Sequence, residues 1–281
     1  MKKNIIAIMS LTVMLGLASC SNDDYLGGHV DRSGAGVAIQ TLTAQMGSTV
    51  TSGKTSWEKD DQIGVSVSYY DITAQNRLYL CGEDGKTFTP KTGEPIYIKG
   101  ATSVVAYYPF VGNDSAEPVV NVKTEDQSDI TDYLVAKADG LNPSNGSTVN
   151  LDFQRILSAL QINITASDDN ITKWVLSGIN NNATLSTYTG ELSIFDKKDY
   201  SGTGTSITSI SLTLLPQTLK GEDGDVTLTL YGSERSYVFI LNKKETFTLT
   251  SAETKTVSVN ISDGMGTIDL HPTETVDWNE K

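Results

Sequence analysis

Carboxylates are the chemically capable side chains in which this sequence is rich. The chain has 281 residues, with 34 Asp and Glu against 21 Lys and Arg, a formal net charge of -13, two histidines and two cysteines. Paired carboxylates carry out glycoside hydrolysis, but the separation that matters is spatial, and 34 of them spread along the chain single out no pair. The densest run, Glu222-Asp223-Gly224-Asp225, suggests calcium, yet a calcium loop ends on a bidentate glutamate, and here that region falls in a strand-forming run at Leu230. A solvated hairpin turn is the better reading of the run, and the same holds for Glu58-Lys59-Asp60-Asp61. His29 and His271 lie near opposite ends, neither with a Cys or His at ligand spacing, so a zinc site or a histidine-based triad lacks its parts. Gly202-x-Gly204-x-x-Ile207 has no third glycine and no following helix, so it is no dinucleotide loop, and no Gly-x-Ser-x-Gly elbow occurs. The expectation is a non-enzyme with no catalytic residue, no metal and no cofactor. The acidic excess also sets the chain against nucleic acid and anionic headgroups as partners through charge.

One residue remains with chemistry of its own. Lys2 and Lys3 precede an apolar run from Ile5 to Ala18, the charged and apolar regions of an export signal, and the run is too short to span a bilayer. Leu17-Ala18-Ser19-Cys20 resembles the box at which a bacterial lipoprotein is acylated and cleaved. Residues 1–19 are then a lipoprotein signal peptide, Cys20 carries the lipid (palmitate or a similar acyl chain), and 20–36 is a lipid-anchored linker. Each buried methylene contributes about 0.8 kcal/mol, so two or three acyl chains hold a protein on a membrane almost permanently. Loss of Lys2 and Lys3 takes the mature chain from -13 to -15. Cys81, the other cysteine, sits in the apolar run Leu78 to Cys81 and reads as a buried, inert thiol.

The elements that must display this surface are strands. Ile63 to Tyr69, Val226 to Leu230 and Thr246 to Thr250 alternate with period two. Pro95 to Ile98, Ser103 to Tyr108, Thr148 to Phe153, Leu160 to Thr165, Lys173 to Leu176, Leu192 to Phe195, Ile210 to Leu215, Ser236 to Leu241 and Thr256 to Ile261 add further β-type runs. Gln154 to Leu160 is ambiguous between a helical turn and a bulge. A dozen or more strands exceed the seven or so of one sandwich, so an all-β chain of two tandem antiparallel β-sandwich domains is expected. The seam is placed at Ala166 to Asn170, giving an N-terminal sandwich over 37–168 and a C-terminal one over 169–281.

Several runs together resemble the fimbrillin family of Bacteroidetes: Trp57 to Val65, Ser103 to Phe110, Asp132 to Ala136, Leu151 to Leu160, and the Pro216-Gln217 step after Leu214-Leu215. Their order and spacing make the set specific over roughly residues 37 to 262. The chain departs from the pattern at Arg155, where a histidine is common, and at Ala252, where a glycine usually precedes the last hairpin strand.

The resemblance implies two transthyretin-like sandwiches and a structural, anchoring or accessory subunit of a fimbria (pilus) on the outer membrane surface, supporting cell adhesion. In that family a trypsin-like protease removes the first strand, and a C-terminal strand of a neighbouring subunit fills the vacated groove by β-strand addition. Val37 to Ala44 is the candidate first strand, with Val37, Ile39, Thr41 and Thr43 on one face. Ile268 and Leu270, and Val276 and Trp278, lie in two short extended segments that are candidate donor strands or edge strands of their own domain. Family members usually carry an arginine after the first strand, but here Lys54 is the only basic residue in 47–56. Arg32 precedes the strand, and cutting there would release the anchor with the groove still filled. Asp114-Ser115-Ala116 resembles a bacterial O-glycosylation acceptor at Ser115. The alternative reading is a glycan-binding surface lipoprotein or tip adhesin, with Trp174 or Trp278 stacking on sugars of host or bacterial surfaces.

Overall fold

The computed structural model describes residues 37–47, 54–69, 72–91, 95–98, 102–112, 119–141 and 148–271. Cys20, Arg32, Ser115, Val276 and Trp278 lie outside them. The described chain is all-β, with one short 3-10 turn at Gly221–Asp223 and no α-helix.

The first ten strands are β1 (Val37–Ile39), β2 (Leu42–Met46), β3 (Gln62–Tyr69), β4 (Ile72–Cys81), β5 (Thr87–Pro90), β6 (Ile96–Ile98), β7 (Thr102–Tyr108), β8 (Val119–Lys123), β9 (Leu134–Leu141) and β10 (Val149–Arg155). Seven of them form one sheet that closes on itself in the order β10-β2-β5-β4-β3-β7-β9, where two open sheets were expected. Alternation explains the closure: Ile63, Val65 and Val67 of β3, Val104 and Ala106 of β7, and Val149, Leu151 and Phe153 of β10 all turn inward and are buried. β1 pairs with β6 as a separate ribbon.

The remaining strands are β11 (Ser158–Ala166), β12 (Lys173–Ser177), β13 (Asn180–Ser186), β14 (Leu192–Lys197), β15 (Tyr200–Thr203), β16 (Ser209–Leu214), β17 (Gln217–Leu219), β18 (Thr227–Tyr231), β19 (Ser236–Ile240), β20 (Phe247–Leu249), β21 (Thr254–Ser262) and β22 (Met265–Leu270). Eight of them build two four-stranded sheets, β16-β11-β21-β22 and β15-β12-β18-β19. Leu160, Ile162, Leu212, Val257 and Val259 of the first meet Leu176, Leu228, Leu230 and Phe239 of the second in one core. The acidic turn at Glu222 joins β17, which pairs with β20, to β18, which pairs with β19. It therefore crosses between sheets and makes no hairpin.

Strand pairing does not part the chain near residue 168. β11 pairs with β16 and β21, and β8 joins β13 and β14 in a three-stranded sheet. A third core of Tyr107, Val120, Val122, Leu157, Ala183, Leu185 and Leu215 fills the space behind that sheet. Tyr107 reaches it because Gly64 has no side chain: a Cβ there would stand 2.3 Å from the ring. Gln154 to Leu160 is neither helix nor bulge; β10 ends at Arg155 and β11 begins at Ser158.

Candidate functional site

The first strand is two strands. Gln40 and Thr41 are exposed and form a step between β1 and β2, and the step turns the inward face over. Ile39, Leu42 and Ala44 are the buried residues, while Thr41 is exposed and Thr43 only half-buried, which corrects the expected face. β2 lies parallel to β10 from Leu42↔Val149 to Met46↔Phe153 and antiparallel to β5 at Leu42↔Phe88 and Thr43↔Thr87. The Ala44 N–H donates to the Lys86 carbonyl at 2.9 Å, and the Gly47 N–H to that of Phe153 at 2.7 Å. Burial of Ile39 and Leu42 contributes about 1.5–3 kcal/mol each, so the N-terminal strands are structural parts of the closed sheet.

A tyrosine pins them. The Tyr79 hydroxyl donates to the Ile39 carbonyl at 2.8 Å and accepts the Ile96 N–H at 2.9 Å, tying β1 and β6 to β4. Tyr79→Phe keeps the ring and strips both buried groups of that partner. It is expected to lower stability by about 1–3 kcal/mol, read as a lower urea midpoint at unchanged m-value; a midpoint equal to the parent's refutes the pin.

The segment after β2 returns through Lys54 to Trp57. Trp57 is buried edge-on against Phe88, Tyr108 and Phe153, with ring centroids at 5.2, 5.3 and 4.9 Å. The Lys54 ammonium sits 2.8 Å from the Asp61 carboxylate and 5.5 Å over the Tyr108 ring, and its side chain is only 21% exposed. Burial pulls its pKa down, but the hydrogen bond and charge of Asp61 outweigh that and hold it above the ordinary lysine value. Asp61 also accepts the Glu58 N–H at 2.7 Å, so the acidic run at 58–61 is a turn closed on itself. Cys81 is buried beside it, and burial pushes its thiol up to about 11, which makes it inert at neutral pH.

Arg155, one of the two departures from the expected pattern, has a fully buried side chain that grips Asp132 with both ends of its fork. Nε donates to Oδ1 at 2.7 Å and Nη2 to Oδ2 at 2.6 Å. This pair locks the end of β10 to the segment entering β9.

At the other terminus β22 pairs along β21 from Val257↔Leu270 to Ser262↔Met265, with Ile268 and Leu270 half-buried over the C-terminal core. Its end is tied down at His271, whose N–H donates to the Thr256 carbonyl at 3.0 Å and whose Nε2 lies 2.8 Å from the Ser258 hydroxyl. Trp174 is half-buried with its indole against the backbone of Gly202, where a Cβ would stand 2.6 Å from Nε1, and it packs on the same core. Among the described residues no three His, Cys, Asp or Glu side chains gather as metal ligands.

Two glutamines have structural tasks that the sequence reading did not assign. Gln217, of the Pro-Gln step, accepts the Asn180 N–H at 3.0 Å and donates to the Asn180 carbonyl at 3.0 Å, filling the place of a strand beside the start of β13. Gln127 does the same at Thr213. Only the Pro-Gln signature pointed to the first, and nothing local pointed to the second.

A family model described as Fimbrillin-like matches residues 48–278. The chain belongs to the fimbrillin-like family. Membership makes it a fimbrial structural protein of the cell surface and not an enzyme. Among curated proteins none matches significantly. Two crystal structures described as putative cell adhesion proteins, from Bacteroides uniformis and Bacteroides ovatus, share its fold with TM-scores of 0.58 each. They are 20% and 21% identical in sequence, and each alignment covers 86% of this chain and 98% of theirs. The tip fimbrial protein Mfa3 from Porphyromonas gingivalis aligns with a TM-score of 0.50 at 9% identity, over 82% of this chain and 98% of its own. The runs Trp57 to Val65 and Ser103 to Phe110 have a structural task in this chain. Here Trp57, Ile63, Val65, Val104, Ala106 and Tyr108 pack the closed sheet around β2.

Proposed function

We propose that this fimbrillin-like chain is an anchoring or accessory subunit of a fimbria, held on the outer membrane by an acylated Cys20 and joined to its neighbours by β-strand addition. The observation that carries the reading is Lys54. A trypsin-like protease must draw a basic side chain into its own acidic pocket, and here the only basic residue between β2 and Trp57 is held by Asp61 and Tyr108. Left uncut, β2 stays between β10 and β5, the groove stays closed, and the lipid is retained. Cutting at Arg32 would free the chain without opening the groove. Donor segments are then 266–270, with Ile268 and Leu270, and 274–278, with Val276 and Trp278. The Asp114-Ser115-Ala116 acceptor is proposed to carry an O-glycan on Ser115.

Two units are proposed to divide at Ile156-Leu157, earlier than the seam first expected near residue 168. The support is that β11 pairs on both sides within the sheet β16-β11-β21-β22, and the β8–β13 ladder is then a pairing between the two units. Mass spectrometry of surface-extracted protein tests the functional reading. A lipidated chain beginning at Cys20 is expected, whereas a chain beginning at Thr55 identifies a polymerising subunit and ends the anchor reading.

A further inference from the structure

β16 is an edge strand of the sheet β16-β11-β21-β22. Its phase is fixed by the Ile164 N–H, which donates to the Thr208 carbonyl at 2.8 Å, in a ladder where Leu160 faces Leu212 and Ser158 faces Leu214. Even-numbered residues of β16 therefore bond to β11, and Ser209, Ser211 and Thr213 turn their N–H and C=O groups outward. Such a row is a template for any extended chain that meets it.

At Thr213 the row is already occupied. The Gln127 side-chain carbonyl accepts the Thr213 N–H at 2.9 Å, and the Gln127 amide donates back to the Thr213 carbonyl at 2.9 Å. This two-way exchange is what a residue of a neighbouring strand would make. The second amide hydrogen of Gln127 goes to the Thr124 carbonyl at 2.7 Å, so the side chain is held from behind as well. Beyond Gln127 the edge opens on a cleft of about 530 Å³ whose rim is charged, with Glu125 and Lys198 paired at 2.7 Å and Asp126 and Asp199 beside them. A peptide-shaped plug and a ring of charge are the means by which sheets refuse edge pairing. By the His271 to Thr256 bond, β22 turns the backbone groups of Gly266, Ile268 and Leu270 outward, and among the described residues they meet no strand.

We infer that Gln127 is an edge guard: its amide takes the place of an incoming strand at Thr213 and bars a second copy of the chain from adding to β16. The inference goes beyond the subunit reading, and its test uses neither lipid nor protease.

Amide hydrogen exchange and sedimentation on the purified full chain test it. In the parent the Thr213 amide is expected to exchange slowly although it points away from the sheet, because Gln127 accepts it. Gln127→Ala is expected to speed it about tenfold or more, while the Leu212 amide, bonded across to β11, stays slow and reports an intact sheet. The same variant is expected to self-associate with rising concentration beyond the parent. Adding Ser211→Pro, which removes an outward N–H that has no ladder bond to lose, abolishes the extra association. Equal Thr213 exchange in parent and variant, or no added association, overturns the guard. Association that survives Ser211→Pro arises elsewhere on the surface and overturns it too.

Discussion

Trp57→Ala is expected to cost about 3–5 kcal/mol, the range for deleting a large buried aromatic. The size follows from what the indole fills. Phe88 of β5, Tyr108 at the end of β7 and Phe153 of β10 all meet it edge-on, and the strands bearing Phe88 and Phe153 are the two that flank β2. Their rings cannot collapse into the void without moving β2. The loss should therefore appear twice, as a lower denaturant midpoint and as faster amide exchange over Leu42–Met46 than over β18 and β19. A midpoint within about 1 kcal/mol of the parent's would mean that the site closes up, and that Trp57 does not hold the N-terminal strand.

Arg155→Ala should be nearly as damaging, by a different route. Breaking a buried ion pair from one side costs roughly 3–5 kcal/mol because the surviving charge loses its partner. Asp132 is 35% exposed, so water rescues part of that, and a figure near the lower end is expected. Most of the loss is then the packing of a fully buried side chain at the corner where β10 gives way to β11. A double-mutant cycle separates the two. If charge dominates, Arg155→Met with Asp132→Ala is more stable than Arg155→Met alone; if packing dominates, Arg155→Met is already mild. Equal, large losses in Arg155→Ala, Arg155→Met and the double variant would refute both accounts.

Much of the fold was legible because burial writes itself into alternation. Every run chosen for period two or for Val, Ile, Tyr and Phe content, from Ile63 to Ile261, coincides with a strand. Among the strands outside that set, one carries no such mark. β13 reads Asn180-Asn181-Asn182-Ala183-Thr184-Leu185-Ser186, and polar residues there are tolerated because β8 and β14 pair with it on both sides. The pairing of β8 with β13 joins residues about sixty apart, and no local pattern encodes it. The reversed face of β1 and β2 was hidden for a related reason. Two exposed residues, Gln40 and Thr41, break the period once, and everything after them changes sides. At the site, Trp57, Lys54 and Asp61 were visible as a motif. Tyr79 and Gln127 were not, since their value lies in where a hydroxyl and an amide arrive in space.

The parallel run of β2 beside β10 bears on how the molecule carries load. A pull on the chain ahead of β1 draws β2 backwards along its own axis, while the body of the protein is held through β10 and its continuation into β11. Parallel neighbours pulled in this way slide against each other, and the pairs from Leu42↔Val149 to Met46↔Phe153 are strained together instead of peeling one at a time. β11 and β21 repeat the arrangement from Ala159↔Thr254 to Ala166↔Ile261, so tension passing from the front of the chain to its end meets a second clamp of the same kind. A tether joined to the rest of the subunit through such lap joints resists a tug as rope splices do, along their whole length at once.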